Sequence, residues 1–137
     1  MFIDANIFLE VQLGQHRSQE CKDFLNKVDA GDVQAFTSDF IIDSIVVTME
    51  NRNVQDMKIL RFLLALRGSR GLSIYNHTLN DRILAANFML KSNLTFDDSM
   101  VAVALKALNT ETVVSFDSHF NRIKGIKRLE PKDALNE

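Results

Sequence analysis

The amino terminus carries the feature that most constrains the fold, a short apolar run that ends in an aspartate. Met1, Phe2 and Ile3 precede Asp4, and a second apolar run follows Asn6. An apolar run bounded by a polar residue predicts a short buried strand. Asp4 then lies just beyond the carboxyl end of that strand, which is where ligands bind in open parallel α/β sheets. Asp4 is therefore the first candidate for a functional side chain.

Predicted strands and helices alternate along the rest of the chain. Further strands are predicted at residues 33–36, 72–75, 112–116 and 126–129. Apolar residues at helical spacing predict helices at residues 7–13, 18–28, 40–49, 54–67, 83–90 and 99–108. Such alternation implies βαβ units and a parallel sheet. We predict an α/β domain over residues 1–130, a three-layer α/β/α sandwich with a central, mainly parallel sheet. Residues 131–137 are predicted to form a frayed tail.

Composition limits the classes of function. The net charge of −2 gives no overall attraction to nucleic acid, so any contact with nucleic acid needs a local basic patch. The single cysteine, Cys21, lies on an apolar helical stripe and is predicted to be in the core. It excludes an internal disulfide and indicates a reducing compartment, so we expect a cytoplasmic protein. No apolar run approaches the roughly 20 residues of a membrane span, and no signal-peptide pattern is visible.

Acidic residues are predicted to meet at one edge of the sheet. Asp4 follows the first strand, and Asp117 follows the fourth. Asp97 and Asp98 lie at a predicted helix start, and Asp43 lies early in the helix after the second strand. Helix N-termini face the carboxyl ends of parallel strands, so four segments deliver carboxylates to the same edge.

Carboxylates that lie close together raise one another's pKa unless a cation lies among them. Oxygen ligands, with no histidine or cysteine in a matching position, suit Mg²⁺ or Mn²⁺ rather than zinc. We therefore predict a Mg²⁺ or Mn²⁺ site formed by Asp4, Asp98 and Asp117. The three histidines are scattered along the sequence and are predicted to be surface or structural residues: His16, His77 and His119.

Three segments of the chain resemble PIN domains, of the kind found as ribonuclease toxins (VapC-like) in type II toxin–antitoxin pairs. Residues 2–9 resemble the family's opening strand and first acid. Residues 94–99, with Ala102, resemble its aspartate at a helix start, and residues 113–120 resemble its late strand and last acid. The resemblance spans nearly the whole chain, with the three motifs in the family's order.

The resemblance implies a function that the residues alone do not. It implies a Mg²⁺- or Mn²⁺-dependent endoribonuclease that cuts RNA, acts as the toxin of a pair and has a small antitoxin protein as partner. It also implies that Asn6 helps to hold the acidic cluster, and that the protein is a homodimer. The predicted helix at residues 40–49 supports a dimer, because it is apolar over much of its circumference.

One position departs from the family's pattern. The family usually carries a glutamate early in the helix after the second strand, and Ser44 occupies that position here. A helix turns by about 100° per residue, so Asp43 replaces that glutamate only if the helix shifts. We name Asp43 as the candidate fourth catalytic acid, and Glu50 as a more distant one. The alternative is a catalytically weakened PIN-like module that binds RNA or a partner protein.

Each acid also has a local explanation. Asp4 could form a turn after its strand, and Asp98 or Asp117 could be a helix-start acid favoured by the helix dipole. Asp43 and Glu50 share a helix face and fit a solvated or salt-bridged surface. Basic residues on or just after the helix at residues 54–67 could follow a phosphate backbone, although a solvated face is the expected role: Lys58, Arg61, Arg67 and Arg70.

Overall fold

The computed structural model describes all 137 residues and contains five strands, seven α-helices and one 3₁₀ helix. None of the helices is both long enough and apolar enough to cross a membrane. In chain order the elements are β1 (Phe2–Ile3), α1 (Ala5–Gln12), α2 (Ser18–Ala30), β2 (Ala35–Ser38), α3 (Asp39–Asn51), α4 (Asp56–Gly68), β3 (Leu72–Tyr75), α5 (Leu79–Ser92), α6 (Phe96–Ala107), β4 (Thr112–Val114), the 3₁₀ helix (Ser118–Arg122), β5 (Lys127–Leu129) and α7 (Pro131–Ala134).

The five strands form one parallel sheet in the order β3-β2-β1-β4-β5. Phe2 is in register with Phe36 of β2 and with Val113 of β4, so β1 lies at the centre. The chain builds outward through β2 and β3 and then returns to the other side of β1. The switch point between β1 and β4 is the position at which open α/β sheets bind ligands. The predicted α/β/α fold with a parallel sheet is confirmed.

The apolar residues of the neighbouring strands β1 and β4 are fully buried. Phe2, Ile3, Val113 and Val114 have no exposed surface, as expected for parallel strands covered on both faces. Cys21 is buried in the same core, as predicted. Among the covering helices, α1 packs on α2 and α3, while α5 packs on α6.

The helix that carries Asp98 begins earlier than predicted. It starts at Phe96 rather than Ser99, because the Thr95 side chain caps it by accepting a hydrogen bond from the backbone N–H of Asp98. Hydroxyl side chains are preferred at this position because they satisfy a free N–H group of the first turn. Asp98 therefore lies within the first helical turn, where the capped backbone fixes its direction.

The strand before Asp117 is shorter than predicted. It ends at Val114, so Ser115 and Phe116 lie in the connection that leads to the 3₁₀ helix. Ser115 remains fully buried, and its backbone N–H still bonds to the carbonyl oxygen of Leu129. Ser115 and Asp117 therefore lie just beyond the carboxyl end of β4, at the carboxyl edge of the sheet.

The predicted fraying after residue 130 is wrong. Residues Pro131–Ala134 form α7, which packs against α2, and Ala134 is buried. Pro131 occupies the first helical position, where the missing N–H of proline costs no hydrogen bond. A proline at this position is itself a signal for a helix start.

Candidate metal centre

Asp4 follows β1 directly, and three donors hold its carboxylate. Oδ1 accepts a hydrogen bond from the backbone N–H of Ala5 at 2.8 Å. Oδ2 accepts hydrogen bonds from the side-chain amide of Asn6 at 3.1 Å and from the hydroxyl of Ser115 at 2.7 Å. Asp4 is also the N-cap of α1, so the start of a helix and the end of a strand together fix its orientation.

Ser115 links Asp4 to Asp117 across the switch point. Besides donating to Asp4, its hydroxyl accepts hydrogen bonds from the amide of Asn6 and from the backbone N–H of Asp117, both at 3.0 Å. Oδ1 of Asn6 in turn accepts the backbone N–H of Phe116 at 3.2 Å. The expected part of Asn6 in holding the acids thus has a geometric basis, because its amide bridges the ends of β1 and β4.

Asp98, Asp117 and His119 form a second group beside Asp4. Nδ1 of His119 lies 3.5 Å from Oδ2 of Asp98 and 3.2 Å from Oδ1 of Asp117. One ligand atom from each of the three residues lies within 4.8 Å of the others. Asp98 is buried, whereas His119 is exposed, so the group opens to solvent on the histidine side.

The acids influence one another. Burial raises the pKa of Asp4 to about 6, and the negative charges of Asp117 and Asp98 add to this, against the opposing hydrogen bonds. Burial, followed by the charge of Asp117, also raises the pKa of Asp98. Crowded carboxylates of this kind gain stability when a cation lies among them.

The donor set fits a divalent cation. Two carboxylates and an imidazole nitrogen within 4.8 Å of one another are donors that a divalent metal ion accepts in proteins. The predicted site contained no histidine, whereas the structure places Nδ1 of His119 beside Asp98 and Asp117. His119 follows Asp117 by two residues, within the 3₁₀ helix that Asp117 caps. This short separation is the sequence signal that places His119 near Asp117. Its proximity to Asp98 depends on the fold and could not be inferred from spacing.

Comparison with known protein families decides the class. The family model described as PIN domain matches residues 1–126. The chain belongs to the PIN-domain family. The resemblance inferred from the three motifs is thereby confirmed, and the acidic edge of the sheet is the candidate site of this PIN domain. A comparison with the sequences of curated proteins finds no match.

Solved structures of similar fold include a toxin and a chain of a toxin–antitoxin complex. VapC20 of Mycobacterium tuberculosis, described as a toxin that cleaves the sarcin–ricin loop, superposes with a TM-score of 0.72 at 14% identity, over 88% of this chain and 92% of that chain. A toxin–antitoxin complex from Klebsiella pneumoniae gives a TM-score of 0.68 at 18% identity, over 95% and 96%. PAE2754 from Pyrobaculum aerophilum gives 0.64 at 12%, over 99% and 96%.

The fourth predicted acid does not join this site of the PIN domain. Asp43 is exposed on α3 and belongs neither to the bonds around Asp4 nor to the group around His119. Ser44, at the position expected for a glutamate, donates its hydroxyl hydrogen to the carbonyl oxygen of Phe40 in its own helix at 2.9 Å. Of the four predicted acids, Asp98 and Asp117 therefore lie in the group around His119, and the charges of both act on Asp4.

Proposed function

We propose that this PIN domain is a metal-dependent endoribonuclease, the toxin of a toxin–antitoxin pair. The observation that carries the proposal is the arrangement of Asp4, Asp98 and Asp117 at the switch point of the sheet. The three acids come from three separate elements, and burial, with a further contribution from the charges of Asp117 and Asp98, raises the pKa of Asp4. Membership of the PIN-domain family supports a nuclease.

Mg²⁺ or Mn²⁺ is the proposed ion. Asp98, Asp117 and Nδ1 of His119 would hold it, with the carboxylate of Asp4 beside them. When bound, such an ion lowers the pKa of water and offsets the charge that develops on a phosphate during in-line attack. Carboxylate ligands suit both ions.

The chain's own residues position the site in advance. Ser115 and Asn6 fix the carboxylate of Asp4, and the Thr95 cap fixes the turn that carries Asp98. A site whose acids are held by such bonds loses little entropy when it binds its charged partners. The exposed side of His119 leaves an opening through which a scissile phosphate can approach.

The proposed partners follow the comparisons. One structural neighbour is a toxin–antitoxin complex, and another is a toxin that cleaves the sarcin–ricin loop. We propose RNA as the substrate, a small antitoxin as the protein partner and a homodimer as the assembly. The buried free thiol of Cys21 fits a reducing compartment, which supports a cytoplasmic location.

A catalytically weakened module that binds RNA or a partner protein is the second candidate. It is favoured by Ser44 at the position expected for a glutamate, and by the exposed location of Asp43. Incubation of the protein with structured and unstructured RNA, in Mn²⁺, in Mg²⁺ and in EDTA, separates the two candidates. Cleavage that requires the ion supports the nuclease. Binding without cleavage supports the RNA-binding module. If the protein neither binds nor cuts RNA, both the nuclease and the RNA-binding module are contradicted.

A further inference from the structure

A groove of about 540 Å³ adjoins the candidate active site, between the end of α5 and the 3₁₀ helix. Asp98 and His119 form the wall that the groove shares with the acidic group, and its other polar lining includes Asn93, Thr95, Arg122 and Lys124. We infer that this groove, the α5–3₁₀ groove, binds the backbone of single-stranded RNA on one side of the scissile phosphate. Arg122 and Lys124 contact the phosphates. This inference rests on the proposed function and adds part of its substrate-binding surface.

The two cations of the groove are free to bind an anion. Arg122 and Lys124 are exposed, and neither side chain forms an ion pair or hydrogen bond within the chain. The net charge of the protein is −2, so a polyanion gains nothing from the molecule as a whole. Local cations must supply the attraction, and these two line the same groove as the buried acid Asp98.

Two other cations near the site are already engaged. Arg17 pairs with Glu130 and lies 3.8 Å above the centre of the Phe116 ring. Arg128 donates a hydrogen bond to the carbonyl oxygen of Ser115 at 2.8 Å. Both cations contact the connection after β4, at Phe116 or Ser115, and both pair with Glu130, which precedes α7. Of these four cations, therefore, the pair in the α5–3₁₀ groove is the one available to RNA.

The groove also has an apolar wall, to which Phe88, Leu94 and Ile123 contribute. Phe88 is partly exposed and can present its ring to a base. Bases of single-stranded RNA stack on aromatic side chains, whereas bases of a duplex stay inside the helix. Cations beside an aromatic ring therefore favour a single strand over a duplex.

The test compares two double variants that lose the same charge. The groove variant is Arg122→Gln with Lys124→Gln. The control is Arg70→Gln with Lys22→Gln, which removes two exposed cations; Arg70 precedes β3 at the amino edge of the sheet. The probe is a fluorescent single-stranded RNA of about 15 nucleotides. Its affinity is measured in EDTA, where metal-dependent cleavage is absent, as a function of salt concentration. Cleavage kinetics follow in Mn²⁺.

Two lost phosphate contacts should reduce the slope of log affinity against log salt by about 1.4. Between about 50 and 200 mM salt, the affinity of the wild type then falls about sevenfold more than that of the groove variant. KM should rise with little change in kcat, and the shift in melting temperature caused by Mn²⁺ should remain. The control should match the wild type in all three measurements.

The outcomes are distinguishable. If the groove variant keeps the salt slope and KM of the wild type while the wild type cuts RNA, the groove inference is overturned and the nuclease stands. That result would leave the cations free for a protein partner. If the wild type neither binds nor cuts RNA, the proposed function fails and the groove inference fails with it.

Discussion

The hydroxyl of Ser115 donates a hydrogen bond of 2.7 Å to Oδ2 of Asp4, across 111 positions of sequence. The hydroxyl oxygen of Ser115 also accepts a hydrogen bond from the backbone N–H of Asp117. One small side chain thus joins the carboxylate after β1 to the connection after β4. The pairing of β1 with β4 and the position of the Asp4 carboxylate therefore depend on the same side chain. A substitution at Ser115 should change both the stability of the fold and the properties of the acidic site.

Ser115→Ala should destabilise the protein by about 1–3 kcal/mol, because it leaves buried polar groups without a partner. The loss should be larger at about pH 8 than at about pH 5, since the ionised form of Asp4 has the greater need of the donor. Denaturant unfolding at both pH values measures it. Ser44→Ala is the control, because that hydroxyl bonds only to a carbonyl of its own helix. Equal, pH-independent losses in the two variants would contradict the assigned role of Ser115.

Without metal, the contribution of Asp4 should make the wild type less stable as the pH rises from about 4 to about 6. The pKa of Asp4 is raised from 3.8 to about 6, so the native state keeps this proton at pH values where the unfolded chain has lost it. The unfolding free energy therefore falls through this window and is level above it. A shift of this size corresponds to at most about 3 kcal/mol.

Asp4→Asn should remove that step. The unfolding free energy of the variant should stay level between about pH 4 and about pH 6, where that of the wild type falls, as measured by unfolding in EDTA across pH. His77 is buried, which lowers its pKa, so its contribution to stability is lost as the pH falls below 6.5. This effect is present in both proteins and cancels in the comparison. If the unfolding free energies of the two proteins change with pH in the same way, Asp4 does not have the raised pKa.

The three acids could be predicted because a local element places each of them. Asp4 and Asp117 follow apolar strands, Asp98 follows a capping threonine, and a parallel sheet brings strand ends to one edge. Strand ends meet at one edge of a parallel sheet whatever the order of the strands, so the shared location of the acids could be predicted without that order. The burial that raises the pKa of Asp4 could not be predicted, because it depends on how the helices cover the sheet.

His119 shows where prediction from the sequence ends. Its distance to Asp117 is set by two residues of chain, but its distance to Asp98 is set by the way α6 packs beside the 3₁₀ helix. Spacing carries no information about such a contact. Asp43 shows the reverse case, since an acid in the right helix lies exposed on it. One helical position decides which side chain can face the site.

Mn²⁺ should raise the melting temperature more than Mg²⁺, because the nitrogen of His119 suits a transition-metal ion better. Tenfold tighter binding corresponds to about 1.4 kcal/mol, or a shift of about 4 °C for a domain of this size. His119→Ala should bring the two shifts close together. It should also remove nitrogen coupling from the electron paramagnetic resonance spectrum of bound Mn²⁺. The control is His16→Ala, which alters an exposed histidine in the segment between α1 and α2. Melting temperatures that are identical in EDTA and in millimolar Mn²⁺ would remove the metal from this account.

The protein should be a homodimer at micromolar concentration. Apolar side chains of α3 and α4 are about half exposed, with values of 53% for Val47, 56% for Met57 and 48% for Leu60. Exposed apolar patches of this kind usually become interfaces. Leu60→Glu should yield a monomer by light scattering, whereas Leu90→Glu, at an 86% exposed position on α5, should not. A wild-type mass equal to one chain would count against the dimer.

Asp98→Asn should leave the metal-free protein as stable as the wild type, or more stable. The amide is nearly the same size as the carboxylate, and its neutrality relieves repulsion among three acids worth on the order of 1 kcal/mol. If Asp98 were only a helix-start acid, the change would instead lose a dipole interaction of about 0.3–1 kcal/mol. Unfolding in EDTA shows whether the change raises or lowers the free energy of unfolding, and so distinguishes the two cases. Asp97→Asn is the matched control, because Asp97 is an exposed aspartate in the same helical turn.

Cleavage of RNA by these two variants in Mn²⁺ is the most direct test of the proposed metal-dependent nuclease. Asp98→Asn removes a charged ligand from the proposed ion, so cleavage should be abolished. Asp97→Asn removes the same charge one position away and should cut at the rate of the wild type. Loss of activity in Asp98→Asn alone supports the metal-dependent nuclease. Full activity of Asp98→Asn contradicts it, above all if that variant is also less stable than the wild type in EDTA.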